Sequence, residues 1–359
     1  MSSELRLGLA GARFGEKHAA AFSQVDGVIL AAISDPDESR RQALVDEYEI
    51  KRAFDTYDEM LEAGELDAVV ICLPTALHER SVSAAFDAGL HVLCEKPPAV
   101  SESEMSKIVS SAGFCGKTYM WARQQRFSPA IAKAREIIER GEIGEAYRGE
   151  SSWQWAWWPF ENDNWRGNRD NGGGALLDIG IHMIDSVWYP MGCPDPVEAM
   201  ASRHSLFLDG RVPDRDEVAE DSVYGMLRFK NGSSMSFSAA FFGHFEGEKE
   251  PWGSPSNFGI QLFGTSGSLD LAKGHRVVAQ QPEIVSTSYA DGPSDESDWF
   301  LAQAQEFVDA IREEREPLND GKQGLTLMRM LDALALSAKE KRAIHIKATR
   351  SLDDLFGGL

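Results

Sequence analysis

The sequence has no apolar run of the roughly 18 residues that a membrane-crossing helix needs. Its start, Met1 to Gly15, also lacks the long apolar stretch and cleavage pattern of a signal peptide. A cytoplasmic protein with no membrane partner is therefore expected. Cysteine is scarce: Cys72, Cys94, Cys115 and Cys193 lie far apart and form no Cys-x-x-Cys pair. Zinc and dithiol chemistry are set aside, no metal is expected, and the four thiols read as reduced packing residues. Positive charge is in deficit, with 36 Lys and Arg against 57 Asp and Glu, a net charge of -21. Nucleic acids and anionic lipid surfaces bind clustered Lys and Arg, so neither is expected as a partner. Internal repeats are absent too. What the chain does have is 359 residues, 43% of them hydrophobic, enough for a large core and for two domains.

From Leu5 to Ala122, short β-rich runs alternate with helical stretches, the pattern of βαβ units around a parallel sheet covered on both faces. Strands are expected from Leu5 to Ala10, Val28 to Ser34, Ala68 to Leu73, His91 to Cys94 and Lys117 to Ala122. Pro36 suits a first helical turn, Gly89 follows a helix ending near Ala88, and Ser101 with Glu104 has capping-box spacing. After a helix from Ser128 to Arg140 the alternation stops and strands dominate. Asn231-Gly232, between Val223 to Phe229 and Ser233 to Ala240, signals a two-residue hairpin, and Gly264 to Gly267 a second turn. An antiparallel, open-faced sheet is expected, with helices at Trp299 to Glu314 and Gln323 to Lys341 packed on one side. Asp291 to Asp298 reads as a short solvated loop.

Gly11, Ala12, Arg13, Phe14 and Gly15 lie between the first strand and a helix, where backbone amides and a helix N-terminus can receive a pyrophosphate. The full G-x-G-x-x-G fingerprint is missing: that register puts Ala10 and Ala12 at glycine positions, or else the loop begins at Gly11 and is one residue shorter. Asp35 ends the next strand about 20 residues on, where a dinucleotide fold keeps its ribose-binding acid. An acid there accepts a hydrogen bond from the ribose 2′-hydroxyl and repels a 2′-phosphate, which favours NAD over NADP. The competing reading makes Asp35 the cap of a helix starting at Pro36.

The run Ile71-Cys72-Leu73-Pro74-Thr75-Ala76-Leu77-His78, followed by Ala88-Gly89-Leu90-His91-Val92-Leu93-Cys94-Glu95-Lys96-Pro97, resembles the glucose-fructose oxidoreductase and inositol dehydrogenase family, Gfo/Idh/MocA. Glu95-Lys96-Pro97 is its most specific mark. The resemblance continues through 172–182, from Gly172-Gly173-Gly174 to His182, and through 263–269 to the helix near Leu325 to Ser337. It implies an α/β protein: a Rossmann domain at 1–122 and, at 123–359, an α/β domain whose open, mainly antiparallel sheet forms the contact of a homodimer or homotetramer. It further implies oxidation or reduction of sugars and cyclitols with NAD(P).

Removing hydride from a carbinol carbon requires the hydroxyl proton to leave, so such a site needs a base and a positive group near the oxygen. The resemblance implies that Lys96 reaches the nicotinamide and the substrate oxygen, and that Asp178 and His182 contact substrate. Their i, i+4 spacing puts both on one helix face. Asp178 then orients the substrate or supports the imidazolium formed when His182, with an ordinary pKa of about 6.5, takes a proton. Duller roles stand beside these: a surface lysine, a helix cap and a core histidine. The three together, in the family's order, favour catalysis. Cofactor contacts are expected from Gly11, Ala12, Arg13, Phe14, Gly15, Asp35, Leu73, Pro74, Thr75, His78, Glu95 and Lys96, although Glu95 can instead anchor the loop through an ion pair.

Trp153, Trp155 and Trp157 alternate on an expected strand, and Trp158, Phe160, Trp165, Arg166 and Arg169 follow. Trp153 and Trp155 read as core or subunit interface, as alternating tryptophans on a sheet usually are. Trp157, Trp158 and Trp165 read as pocket residues, since aromatic faces cover the C–H face of a sugar. Substrate contacts are thus expected from Arg123, Trp158, Trp165 and Arg166. The expected function is NAD-dependent hydride transfer to or from a sugar, inositol or related polyol. A glycosidase using NAD for transient oxidation and a non-catalytic nucleotide-sensing regulator are the alternatives.

Overall fold

A computed structural model describes residues 4–158, 165–169, 171–208, 218–248, 254–280, 283–288 and 296–347. Phe160 and most of the expected loop from Asp291 to Asp298 lie outside them. In chain order come β1 (Leu5–Ala10), α1 (Ala12–Phe22), β2 (Val28–Ser34), α2 (Glu38–Tyr48), β3 (Arg52–Phe54), α3 (Tyr57–Glu62), β4 (Ala68–Ile71), α4 (His78–Asp87), β5 (His91–Cys94), α5 (Glu102–Cys115) and β6 (Tyr119–Trp121). Then follow α6 (Pro129–Glu139), β7 (Ala146–Trp155), α7 (Ile181–Trp188), β8 (Pro196–His204), β9 (Ser222–Phe229), β10 (Ser234–Ala240), β11 (Ser256–Gly264), β12 (Gly267–Asp270), β13 (His275–Gln280) and β14 (Glu283–Ser288). The chain closes on α8 (Glu296–Arg312), α9 (Gly321–Glu340) and β15 (Ile344–His345).

Two compact units result. The first holds the described residues of 4–132, 171–172 and 296–328, and the second holds the others. In the first, six parallel strands take the order β3-β2-β1-β4-β5-β6. That is the doubly wound nucleotide-binding order, which reverses between β1 and β4 and leaves a crevice at the strands' C-terminal ends. Leu7, Leu9, Val70 and Leu93 are fully buried, as strands covered on both faces require.

Helix α8 packs here, not on the second sheet as expected: Phe307 meets Phe22 edge-on at 6.2 Å, and Phe300 lies 5.9 Å from Phe14. Helix α9 crosses from the first unit into the second. Periodicity shows that a helix has an apolar face but not which core will take it.

The second unit is built on a nine-stranded sheet of order β14-β13-β12-β11-β7-β10-β9-β8-β15. Its pairs are antiparallel except β7 with β10, which run parallel near its middle. Val223, Leu227, Met235 and Phe237 are buried on one face, while Met200, Tyr224 and Met226 are exposed on the other, with Met200 directly opposite Met226. The sheet is open-faced.

The hairpin at Asn231-Gly232 forms with three loop residues rather than two. Phe229 donates to Ser233 O, and Gly232 takes φ +88° while Asn231 does not reach positive φ. A two-residue type I′ turn needs both, so the chain adopts the next commonest solution. No helix among the described residues is long and apolar enough to cross a membrane.

Candidate active site

At the end of β1, Gly11 adopts φ +95°, and a Cβ there would lie 2.6 Å from Cys72 O. Only glycine fits this approach of the β1 loop to the end of β4. Helix α1 begins at once, so the amides of Arg13 and Phe14 belong to its first turn, where intrahelical acceptors do not exist. At Gly15 a Cβ would meet nothing within 4 Å beyond its own stretch of α1. The loop thus has the bare backbone and open approach that a pyrophosphate needs.

Asp35 is buried and does not cap α2. Asp37 does, accepting from the amides of Ser39 and Arg40. The Asp35 carboxylate instead receives Ala12 N–H at 2.6 Å on one oxygen and Asp37 N–H at 2.8 Å on the other. It ties the end of β2 to the glycine loop, and each oxygen keeps a further lone pair for a ribose hydroxyl. Arg41 donates to Asp35 O and pairs with Asp55 at 2.6 Å; Arg40 pairs with Asp37 at 3.2 Å.

Across the crevice, Leu73, Pro74 and Thr75 leave β4, and Thr75 is buried against Gly172. Glu95, buried at the end of β5, accepts Lys96 N–H at 2.9 Å on Oε2 and faces His18 Nε2 at 2.7 Å with Oε1. Lys96, partly exposed, precedes a cis proline. His78 differs from the expected cofactor contact. Its ring is buried, with Nδ1 2.8 Å from Pro97 O and Nε2 2.8 Å from Leu73 O, so both nitrogens are spent on joining these two loops. A neutral ring donates to one carbonyl only; burial, which pushes the ring below its ordinary value, opposes the charge that would satisfy both.

Arg123, expected among the substrate contacts, is fully buried in the first unit. Its amide donates to Gln303 Oε1 at 2.6 Å and its guanidinium to Gln125.

A 3-10 turn at Trp165–Gly167 precedes the glycine triplet, of which Gly173 and Gly174 belong to the second unit. A Cβ on Gly173 would sit 2.5 Å from the carbonyl oxygens of Trp165, Arg166 and Asn168, so glycine alone lets the two segments close. Gly174 donates to Arg166 O at 2.8 Å. Asp178 then lies in a π-helical turn, Leu176–Gly180, that runs straight into α7 with His182 in its first turn. Four residues remain close to one turn in either geometry, and such π-turns recur at functional sites.

Arg166 Nε donates to Asp178 Oδ2 at 2.8 Å, and the same guanidinium lies over the Trp165 ring at 4.6 Å. His182 is buried, with its ring centroid 5.7 Å from that of Trp153 in an edge-to-face arrangement. Trp158, expected in the pocket, is 8% exposed; it packs on Phe241 at 5.0 Å and stacks on Phe242 at 6.3 Å, an aromatic core position.

Two residues escaped the sequence reading. Glu220 is buried beneath the glycine triplet, accepting Leu176 N–H at 3.1 Å, while its own carbonyl accepts Ala175 N–H at 2.9 Å. Burial pushes its carboxyl upward, partly offset by the Leu176 amide. His18 is the other; its place on the inward face of α1, 18 residues from the start, carries only an i, i+4 spacing from Phe14 as a signal.

The profile of the oxidoreductase family's NAD-binding Rossmann fold matches 5–122, and that of its C-terminal α/β domain matches 135–346. D-xylose 1-dehydrogenase (NADP(+)) 2 of Haloferax volcanii is 27% identical over 95% of this chain and 98% of its own length. D-glucoside 3-dehydrogenase of Escherichia coli is 26% identical over 96% and 98%. The structure of levoglucosan dehydrogenase in complex with NADH, 21% identical, superposes with a TM-score of 0.83 over 96% of this chain and all of that one, sharing the fold. The chain belongs to the Gfo/Idh/MocA family of oxidoreductases, with an NAD-binding Rossmann domain and the family's C-terminal α/β domain.

Proposed function

We propose that the protein is a dehydrogenase that prefers NAD and moves hydride between nicotinamide and a ring hydroxyl or ketone of a sugar, inositol or related polyol. The observation that carries this reading is the Asp178–His182 segment, held at its start by Glu220 and at Asp178 by Arg166, in a chain whose Rossmann unit carries Lys96 on a loop fixed by buried side chains. The names of the xylose and glucoside dehydrogenases support the substrate class. Gly11, the first-turn amides of α1 and Asp35 would hold the dinucleotide, which when bound supplies the hydride acceptor.

In this reading His182 takes the hydroxyl proton, and the Lys96 ammonium stabilises the oxygen as charge develops. Asp178, already bonded to a guanidinium, accepts a hydrogen bond from a neighbouring hydroxyl and leaves the proton to the imidazole. For NADP, Arg40 and Arg41 would have to leave Asp37 and Asp55, and a 2′-phosphate would face Asp35. The exposed Met200, Tyr224 and Met226 support a homodimer or homotetramer joined through the open face of the sheet.

The test is a panel of inositols, aldoses and glycosides read by NADH or NADPH absorbance. Net NADH from a cyclic polyol is expected, with kcat/KM higher for NAD. Lys96→Met and His182→Ala should bind NAD normally while kcat falls about 10²- to 10⁴-fold. Undiminished kcat in a folded, NAD-binding His182→Ala protein overturns the mechanism. Aglycone release without net NADH overturns the reaction class.

A further inference from the structure

Two buried side chains that carry no proton in the proposed reaction converge on the peptide of Lys96. His18 and Glu95 are 1% and 6% exposed, and their bond is 2.7 Å long. The second Glu95 oxygen accepts Lys96 N–H at 2.9 Å, and the Glu95 amide is fixed on Ile71 O at 2.9 Å. Beyond Lys96, the chain is held again by His78 on Pro97 O.

Packing alone does not call for this polarity. The His18 ring already lies among Phe14, Phe22 and Phe300, at 6.1, 6.5 and 5.2 Å, where an apolar side chain would serve without the cost of burying a carboxylate. What the pair adds is direction. With Oε1 fixed by His18, Oε2 has one place to be, and the Lys96 amide is drawn to it. His18 reaches this point from α1, the helix whose first turn faces the dinucleotide in the proposed function.

We propose that His18 and Glu95 form a positioning pair that sets the Lys96 backbone from the nucleotide-binding helix, so that the ammonium meets the substrate oxygen in register with bound NAD. The proposal rests on Lys96 acting in the reaction. His18 acts through Glu95 and not on the substrate. It requires an N–H donor at Nε2 and an acceptor at both Glu95 oxygens, a pattern that chemistry can separate from mere bulk.

The experiment compares His18→Leu, His18→Gln and Glu95→Gln in the full chain, with Lys96→Met as reference, using the best substrate of the wild-type panel. His18→Leu keeps the bulk and removes the donor. A fall in kcat of about 10- to 100-fold, the rate equivalent of one charge-assisted hydrogen bond, is expected, with NAD Kd by fluorescence titration and sugar KM within about threefold of wild type. His18→Gln restores an N–H donor of similar reach and should recover most of kcat. Glu95→Gln, nearly isosteric, keeps one acceptor and should resemble His18→Leu, which preserves the test if the leucine variant does not fold.

Undiminished kcat in both His18→Leu and Glu95→Gln overturns the proposal. So does parallel loss of kcat, NAD affinity and melting temperature that His18→Gln does not reverse, since that is a packing defect. Unchanged kcat in Lys96→Met overturns the catalytic reading beneath it, and wild-type inactivity on every polyol overturns the substrate class. These failures are distinguishable from one another.

Discussion

Among single residues, the tryptophans show that alternation on a strand does not settle what each ring meets. All carry the same apolar area, and alternation places Trp153 and Trp155 on one face of β7, but only neighbours decide what that face meets. Trp153 meets the His182 ring edge-on, and Phe258, opposite it across the β7–β11 pair, has its ring 5.8 Å away and 42% exposed. Trp158 is enclosed by Phe241 and Phe242. Trp165 carries Arg166, and through it Asp178. Trp153→Ala should therefore raise KM for a cyclic polyol by about tenfold with NAD affinity unchanged, since an aromatic face on a sugar contributes on the order of 1 kcal/mol or more. Trp158→Ala should instead cost about 3–5 kcal/mol of stability, the usual loss for a large core aromatic. Steady-state kinetics and denaturant unfolding of both variants check this; a Trp158→Ala protein of normal stability and raised KM would return that residue to the pocket. Lys96, Asp178 and His182 could be singled out from sequence because each stands in a motif. His18 and Glu220 could not, because their partners are distant in the chain and no motif marks them.

Elements were legible in proportion to how local their causes are. Strands β1, β2 and β5 begin and end where composition puts them, since each is a short, mostly apolar run between turns and helices. β3 went unread because three residues are too few for any periodicity. The parallel β7–β10 pair and the return of α8 to the first unit depend on partners that no window of sequence contains. The glycine triplet announced a close approach without saying to what. Its floor is Glu220, a buried carboxylate whose folded-state pKa is raised by burial. A raised carboxyl pKa favours the folded state while the group is protonated, and that contribution is lost as pH climbs through the raised folded value. Glu220→Gln keeps an acceptor for Leu176 N–H without the charge. Its melting temperature relative to wild type should therefore rise from acid towards neutral pH and converge on it below the ordinary carboxylate range. A difference independent of pH between 4 and 8 would mean that Glu220 is accommodated as a carboxylate at no cost.

For the whole molecule, the governing quantity is the excess of 57 acids over 36 bases, a net charge of -21. Charge of one sign repels itself and destabilises the compact state, and the Debye length of about 10 Å at 0.1 M shrinks to about 3 Å at 1 M salt. Salt also weakens attractive pairs, and the surface has several, such as Arg6–Asp67, Lys17–Glu296 and Arg140–Glu136. Those pairs are exposed and each contributes little, partly retained because their atoms touch. The surplus acids act over longer distances and lose more when screened. The repulsive contribution should decide the sign: the melting temperature at pH 8 should rise as NaCl is raised from 0.05 to 1 M. Because repulsion is the cause, the rise should shrink as pH approaches the isoelectric point of about 4.8, where the net charge vanishes. Scanning calorimetry on that grid of salt and pH is the measurement. An equal rise at pH 5 and pH 8 would mark general salting-out of apolar surface instead, and a fall at pH 8 would mean that the attractive pairs outweigh the excess.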